Sequence, residues 1–338
     1  MKKTYRAMQI TNPGILELVD RPIPTPGQGE VLIEVEACGI CGADVGDIEN
    51  PKPDLEVPRV PGHEVVGRIA AIGPGASSYW KPGQRVGVGR LGGHCTQCEA
   101  CRRGQFQLCR EQPFVGSTQD GGYAEMMIAR ETGLVSVPDE LESSEAAPIL
   151  CAGIATFNAL KKSGAQAGDL VAVHGIGGLG HMAVQYAHKM GFKVVAIGRG
   201  NDISRMVADL GAHIYIDSDK EDVAKRLLEM GGAQAILSTT SNSSAISALI
   251  PALAPQGRVM LLGFSHEPLA VPFGPMIAGE RSVMGSITGS PFENEKTLNF
   301  SVLSGVRPKI ETMPLERANE AYQKMQSGDA EFRMVLTM

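Results

Sequence analysis

Four of the seven cysteines stand close together in the stretch HCTQCEACRRGQFQLC, where Cys95, Cys98, Cys101 and Cys109 follow C-x2-C-x2-C-x7-C spacing. Thiolates on one short loop can close a tetrahedral cage around zinc. Four protein ligands leave no place for substrate, so the expected role is structural. An iron–sulfur cluster is the competing chemistry. Its bacterial pattern continues, after two C-x2-C steps, with a three-residue gap and a proline. Here the last gap is seven residues and Arg110 follows Cys109.

Cys41, His63 and Cys151 have the right softness for a second metal. Two thiolates and an imidazole are one of the catalytic zinc sets, which keep a fourth position open. The stretch ACGICGAD also pairs Cys41 with Cys38, and such a pair can be a redox couple, half of a metal site or two unrelated thiols. The three residues are too far apart in sequence for spacing to join them.

LVAVHGIGGLGHMAVQYA reads as an apolar strand, then Gly175, Gly177 and Gly180 as G-x-G-x-x-G, then a helix. That context supports a dinucleotide site: the first glycine turns the chain, the second admits the pyrophosphate and the third packs helix on strand. The phosphates would face the helix N-terminus. The cradle is the whole GIGGLGH run, which adds Ile176, Gly178, Leu179 and His181. An acid at the end of the next strand would select the ribose hydroxyl of NAD. KVVAIG ends instead on Gly198 and Arg199, a cation suited to the 2′-phosphate of NADP; Asp202 nearby keeps NAD open.

These residues need elements to hold them. At 338 residues the chain is long enough for two domains. The first 150 residues are short strands between Pro/Gly turns such as PGQGE and KPGQ, which predicts a barrel-like or sandwich-like β region. From about residue 153, LVAVHG, KVVAIG, HIYID, AILSTT, RVMLLG and SVMGSI are apolar strands, the first few with helical stretches between them, predicting a parallel sheet. An amphipathic PLERANEAYQKMQSG then leads to a last strand, RMVLTM. The formal charge of −6 argues against a nucleic-acid or anionic-membrane partner. No apolar run approaches the roughly 18 residues of a membrane span. The start MKKTYRAMQI lacks the apolar region of a secretory leader, so reduced thiols and a cytoplasmic location are expected.

Taken together, the chain resembles the zinc-containing medium-chain dehydrogenase/reductase family, the alcohol dehydrogenases in particular. Gly62, His63 and Glu64 with Gly67 and Gly73 match its G-H-E-x-x-G-x5-G signature, and the cysteine lobe, CAGIATF at 151–157 and GIGGLGH follow in the family's order. The resemblance implies an α/β protein: a discontinuous GroES-like β-rich catalytic domain (1–153 and 291–338) and a Rossmann doubly wound cofactor domain (154–290). It implies two zinc ions per chain, a catalytic one held by Cys41, His63 and Cys151 and a structural one held by Cys95, Cys98, Cys101 and Cys109. Glu64 would lie behind the catalytic zinc as an alternative ligand, and Asp44 would orient the histidine. Arg333 would lie near the pyrophosphate, and Leu262, Gly263 and Phe264 would line the nicotinamide end. Cys38 is then the leftover thiol. The implied activity is hydride transfer between a small-molecule alcohol or its aldehyde or ketone and NAD(P), leaning to NADP, in a homodimer or homotetramer. A polyol or amino-alcohol dehydrogenase is the alternative within the fold, and a non-catalytic zinc and nucleotide-binding protein the alternative outside it.

The sequence also departs from that pattern. Where the family commonly carries a proton-relaying Ser or Thr, it has Ala43, after Gly42, and Ala155 with Thr156 stands where a threonine is usual. Glu49 is matched to the histidine that ends the relay, so water with Glu49 is expected to substitute. Arg90 replaces a bulky aromatic at the substrate pocket, either to favour a polar substrate or to form a salt bridge.

Overall fold

The first two strands bury one set of side chains and expose the rest. In β1 (Thr4–Asn12) and β2 (Ile15–Pro22) the inward residues are Tyr5, Ala7, Met8, Ile10 and Leu16, and the two strands form their own antiparallel sheet. The computed structural model describes residues 3–50, 58–200 and 203–338. It divides into two units, Met1–Ile154 with Thr288–Met338, and Ala155–Ile287.

The first unit is built around β3 (Glu30–Ile40), which is buried along most of its length and has partners on both edges. Helix α1 (Gly42–Glu49) follows it directly. Strand β4 (Glu64–Ile72) runs antiparallel to β3, with Cys38 opposite Val65 and Gly39 opposite Glu64. The sheet continues through β5 (Arg85–Val88) to β7 (Leu134–Ser136), and β6 (Met126–Arg130) pairs with β3. Helix α2 (Ser143–Pro148) then passes through a π-helical turn, Ile149–Gly153, into α3 (Ile154–Lys162).

The second unit holds β8 (Leu170–His174), β9 (Lys193–Gly198), β10 (Ile214–Asp217), β11 (Ala233–Ser238), β12 (Leu253–Leu261) and β13 (Ser282–Gly285). All pair in parallel in the order β10-β9-β8-β11-β12-β13. Strands β8 and β9 are buried on both faces, as a parallel sheet requires. The order reverses between β8 and β11, where doubly wound sheets bind ligands beyond their carboxyl ends. The glycine-rich turn lies there, between β8 and α4 (Gly180–Lys189).

The chain then returns to the first unit. Helix α5 (Pro291–Ser304) starts on a Ser290–Glu293 capping box with proline in its first turn and ends at Gly305 in the left-handed region. Strands β14 (Ile310–Pro314) and β15 (Arg333–Thr337), joined by α6 (Ala318–Ser327), complete the sheet as β14-β15-β3-β4-β5-β7. This GroES-like and Rossmann pairing is the fold class expected from the sequence. Among the described residues, no helix is long and apolar enough to cross a membrane.

At Gly67 the β3–β4 pair comes so close that a Cβ would stand 2.2 Å from the Glu34 carbonyl oxygen. Backbone cannot yield as a side-chain tip can, so Gly67→Ala is expected to destabilise the first unit by about 2 kcal/mol, the scale of core overpacking. Denaturant unfolding of the variant checks this; an unchanged midpoint would contradict it.

Candidate active site and metal centres

Cys41 ends the run of β3 and caps α1, so its backbone N–H has no helical partner. It donates to Asp44 Oδ2 at 2.9 Å. Asp44 Oδ1 lies 2.7 Å from His63 Nδ1, and the Tyr123 hydroxyl donates to Oδ2 at 3.0 Å. His63 immediately precedes β4, and the antiparallel register sets it beside the end of β3. Its other ring nitrogen, Nε2, is buried and has no hydrogen-bond partner. Cys151 comes from the π-helical turn, and its Sγ lies 3.9 Å from that of Cys41.

The ligand atoms of Cys41, His63, Glu64 and Cys151 all lie within 4.8 Å of one another. Tetrahedral zinc with Zn–S bonds of about 2.3 Å holds its sulfurs roughly 3.8 Å apart. The Cys41–Cys151 separation fits that spacing and is far too long for a disulfide. An orphaned imidazole nitrogen facing two thiols is the donor set of such an ion. Behind it, Glu64 Oε1 pairs with Arg333, while Glu64 Oε2 has no partner and lies against Gly39, where a Cβ would come within 1.9 Å of it.

The electrostatics of this cluster follow from burial and close pairing. Burial opposes charge on the His63 ring, but Asp44 and then Cys41 overcome it and lift its pKa to about 10. Burial raises Glu64 to about 7, against the pull of Arg333. The two thiols share a hydrogen bond that lowers Cys41 and raises Cys151, so Cys41 carries the thiolate.

The other four cysteines form a second group with mutual Sγ distances in the same range. Cys95–Cys101 is 4.0 Å, Cys98–Cys101 3.6 Å and Cys98–Cys109 3.9 Å. The loop closes through Thr96 in the left-handed region, with φ of 64°. Backbone donors enter the cage, Cys98 N to Cys95 Sγ at 3.4 Å and Cys95 N to Cys109 Sγ at 3.3 Å. Backbone hydrogen bonds from Cys101 and Arg110 hold Cys98 down to about 6, and burial pushes Cys101 up to about 12.

In the second unit, Gly175 has a φ of 94°, and Thr239 Oγ1 donates to its carbonyl at 2.9 Å. A Cβ on Gly180 would lie 2.0 Å from the Gly175 oxygen, whereas one on Gly177 would meet nothing within 4 Å. The first and third glycines thus close the turn, and the second leaves its backbone open to an approaching group. Ile176, Gly178 and Leu179 complete the turn at partial exposure, and the buried His181 donates its backbone N–H to Gly177 O at 3.0 Å. Gly198 ends β9, and Arg199 beyond it is exposed. Asp202 lies outside the described residues. Leu262 and Gly263 continue β12 with their N–H groups directed to Ser238 O, and Phe264 is 78% exposed.

Three further residues take partners the sequence does not specify. Glu49 does not join the cysteine–histidine cluster: its Oε1 accepts from Tyr322 at 2.9 Å and Gln326 at 3.1 Å on α6. Those two donors tie it down at the far end of α1, so the relay role expected for it is not supported. Arg333 is buried against Glu64, so its guanidinium charge serves the back of the cluster. Arg90 forms an ion pair with Asp47 at 2.8 Å, the salt-bridge alternative. The sequence reading missed Asp47 and Tyr123, since neither belongs to a spaced motif.

Metal uptake by the mixed set must displace protons. At pH 7 His63 and Cys151, both raised, hold theirs, and Glu64 is half-titrated. Zinc uptake there is therefore expected to release about two protons or slightly more, and affinity should rise steeply with pH across neutrality. Calorimetry of the metal-free protein in buffers of different ionisation enthalpy measures this; release of less than one proton would contradict it.

Residues 27–139 match the family model described as alcohol dehydrogenase GroES-like domain, and residues 178–302 match that of zinc-binding dehydrogenase. The chain is 39% identical to alcohol dehydrogenase notN of Aspergillus sp. (strain MF297-2), over 96% of its own length and 94% of that protein's. It is also 39% identical to an alcohol dehydrogenase of Geobacillus stearothermophilus, over 96% of each chain. Among solved structures it is similar to CAD of Helicobacter pylori complexed with NADP(H), at a TM-score of 0.85 and 28% identity, covering 99% of this chain and 97% of that one. With the fold, the donor sets and these relatives in agreement, the chain belongs to the zinc-containing medium-chain alcohol dehydrogenase family.

Proposed function

We propose that this chain transfers a hydride between an alcohol and its aldehyde or ketone and NAD(P), with Cys41, His63 and Cys151 holding a catalytic zinc. The observation that carries the reading is the buried, partnerless His63 Nε2 beside two thiols at metal-bridging separation. Cys95, Cys98, Cys101 and Cys109 would hold a second, structural zinc. When bound, zinc supplies Lewis acidity to the alcohol or carbonyl oxygen and the nicotinamide ring takes or gives the hydride.

The chain's own residues do the rest. Asp44 keeps the His63 proton on Nδ1, which leaves Nε2 free to ligate. Glu64, paired with Arg333 and titrating near neutrality, is the alternative carboxylate ligand. Ala43 has no hydroxyl to pass a proton and Glu49 is occupied elsewhere, so the alcohol proton leaves through water. The GIGGLGH turn receives the pyrophosphate, with Leu262, Gly263 and Phe264 towards the nicotinamide. Arg199 is exposed and carries the cation for a 2′-phosphate, which favours NADP over NAD.

A homodimer or homotetramer is supported by the open edge at β13 and by Phe273 and Ile277, 81% and 78% exposed, in the same unit. Thiol clusters of this kind favour a reducing compartment, in keeping with the cytoplasm.

Absorbance of the reduced nicotinamide, with primary, secondary and aromatic alcohols and their carbonyls, tests the activity. Turnover with NADP above NAD is expected, and no turnover with any pair would contradict the proposal. Arg199→Ala should lower kcat/KM for NADP about tenfold, the scale of one charge-assisted contact, and leave NAD nearly unchanged. Ala43→Ser should raise turnover or shift its pH profile; a rate and profile identical to the parent's would overturn this account of the proton's path.

A further inference from the structure

The mixed cysteine–histidine set is anchored from a direction that no motif marks. Asp44 is fully buried and accepts hydrogen bonds from three donors, His63 Nδ1, the Cys41 backbone N–H and the Tyr123 hydroxyl. We propose that Tyr123 is a positioning residue for His63, acting through Asp44. The proposal rests on the reading of Cys41, His63 and Cys151 as a metal set.

Tyr123 itself is held rigidly. Its backbone N–H donates to Pro61 O at 3.0 Å and its carbonyl accepts from Met8 N at 2.8 Å, while Gly122 N donates to Gly62 O at 3.0 Å. The segment carrying Tyr123 is thus fastened to the residues just before His63. The ring packs where only glycine fits: a Cβ on Gly62 would stand 2.2 Å from Tyr123 Cδ1. With ring and backbone fixed on one side, the phenol oxygen is delivered to Asp44 Oδ2 with no freedom to search. Burial and the Asp44 charge raise the phenol pKa, so the hydroxyl remains a donor across the working pH range. Without that donor, Oδ2 keeps only the Cys41 N–H. The carboxylate plane, left with one donor on each oxygen, is then held less firmly and defines the plane of the His63 ring less well. A ligand held by a loosened anchor loses affinity, as outer partners of metal-binding histidines generally show.

The chain contains its own control, because the four-cysteine set does not touch Tyr123. Tyr123→Phe keeps the ring against Gly62 and removes only the hydroxyl. Zn²⁺ affinity of each set is measured by competition with a chelator, and the mixed set is also read by the visible bands of bound Co²⁺. In Tyr123→Phe the mixed set should bind Zn²⁺ about ten- to a hundredfold more weakly with shifted Co²⁺ bands, and the four-cysteine set should be unaltered. Asp44→Asn combined with Tyr123→Phe should bind no more weakly than Asp44→Asn alone. Unchanged affinity and bands in Tyr123→Phe, or losses that multiply in the double variant, would overturn the proposal. Uptake of a single ion per parent chain, at the four cysteines, would overturn the metal reading beneath it and this inference with it.

Discussion

The antiparallel register of β3 on β4 is the constraint on which the catalytic unit depends. With Gly39 opposite Glu64, the end of one strand and the start of the next fall together, and Cys41 meets His63 across a sequence gap that spacing could not bridge. A one-residue slip would turn the alternate faces over and separate the pair. The register in turn requires glycine at position 39, where a side chain would collide with Glu64, and at position 67, where it would collide with backbone.

Burial of charge is the second organising fact. Glu64 and Arg333 lie at 0% and 4% side-chain exposure, and each needs the other, since an unpaired buried charge costs several kcal/mol. The pairing joins β4 to the last strand and explains why the chain returns to its first unit after the Rossmann sheet. β15 closes on β3 and brings the cation with it. Asp44 is treated differently. Three donors, rather than a neighbouring Lys or Arg, stabilise its charge, which leaves it directional enough to orient a ring.

The two thiol sets show how one residue type serves two ends. The four-cysteine loop is local, closes through its own turn and takes backbone donors into its cage. The mixed set is assembled from the end of β3, the start of β4 and a π-helical turn, with an imidazole and a carboxylate beside its two thiols. A π-helical turn inserts an extra residue into helical winding, a device that recurs at functional sites.

Much of this was legible in the sequence because its signals are local. The four-cysteine spacing, the strand–glycine–helix run and the alternating strands each depend on residues a few positions apart, and backbone geometry acts over that range. The resemblance to known dehydrogenases then supplied the long-range grouping of Cys41, His63 and Cys151. What only the tertiary structure decided are the side-chain partnerships across distant segments. Glu49 is drawn to Tyr322 and Gln326 of a helix near the C-terminus, Arg90 to Asp47, Arg333 to Glu64, and Tyr123 to Asp44. A charged or polar group takes the best partner within hydrogen-bond reach, and which partner that is depends on how strands register and helices pack, not on neighbours along the chain.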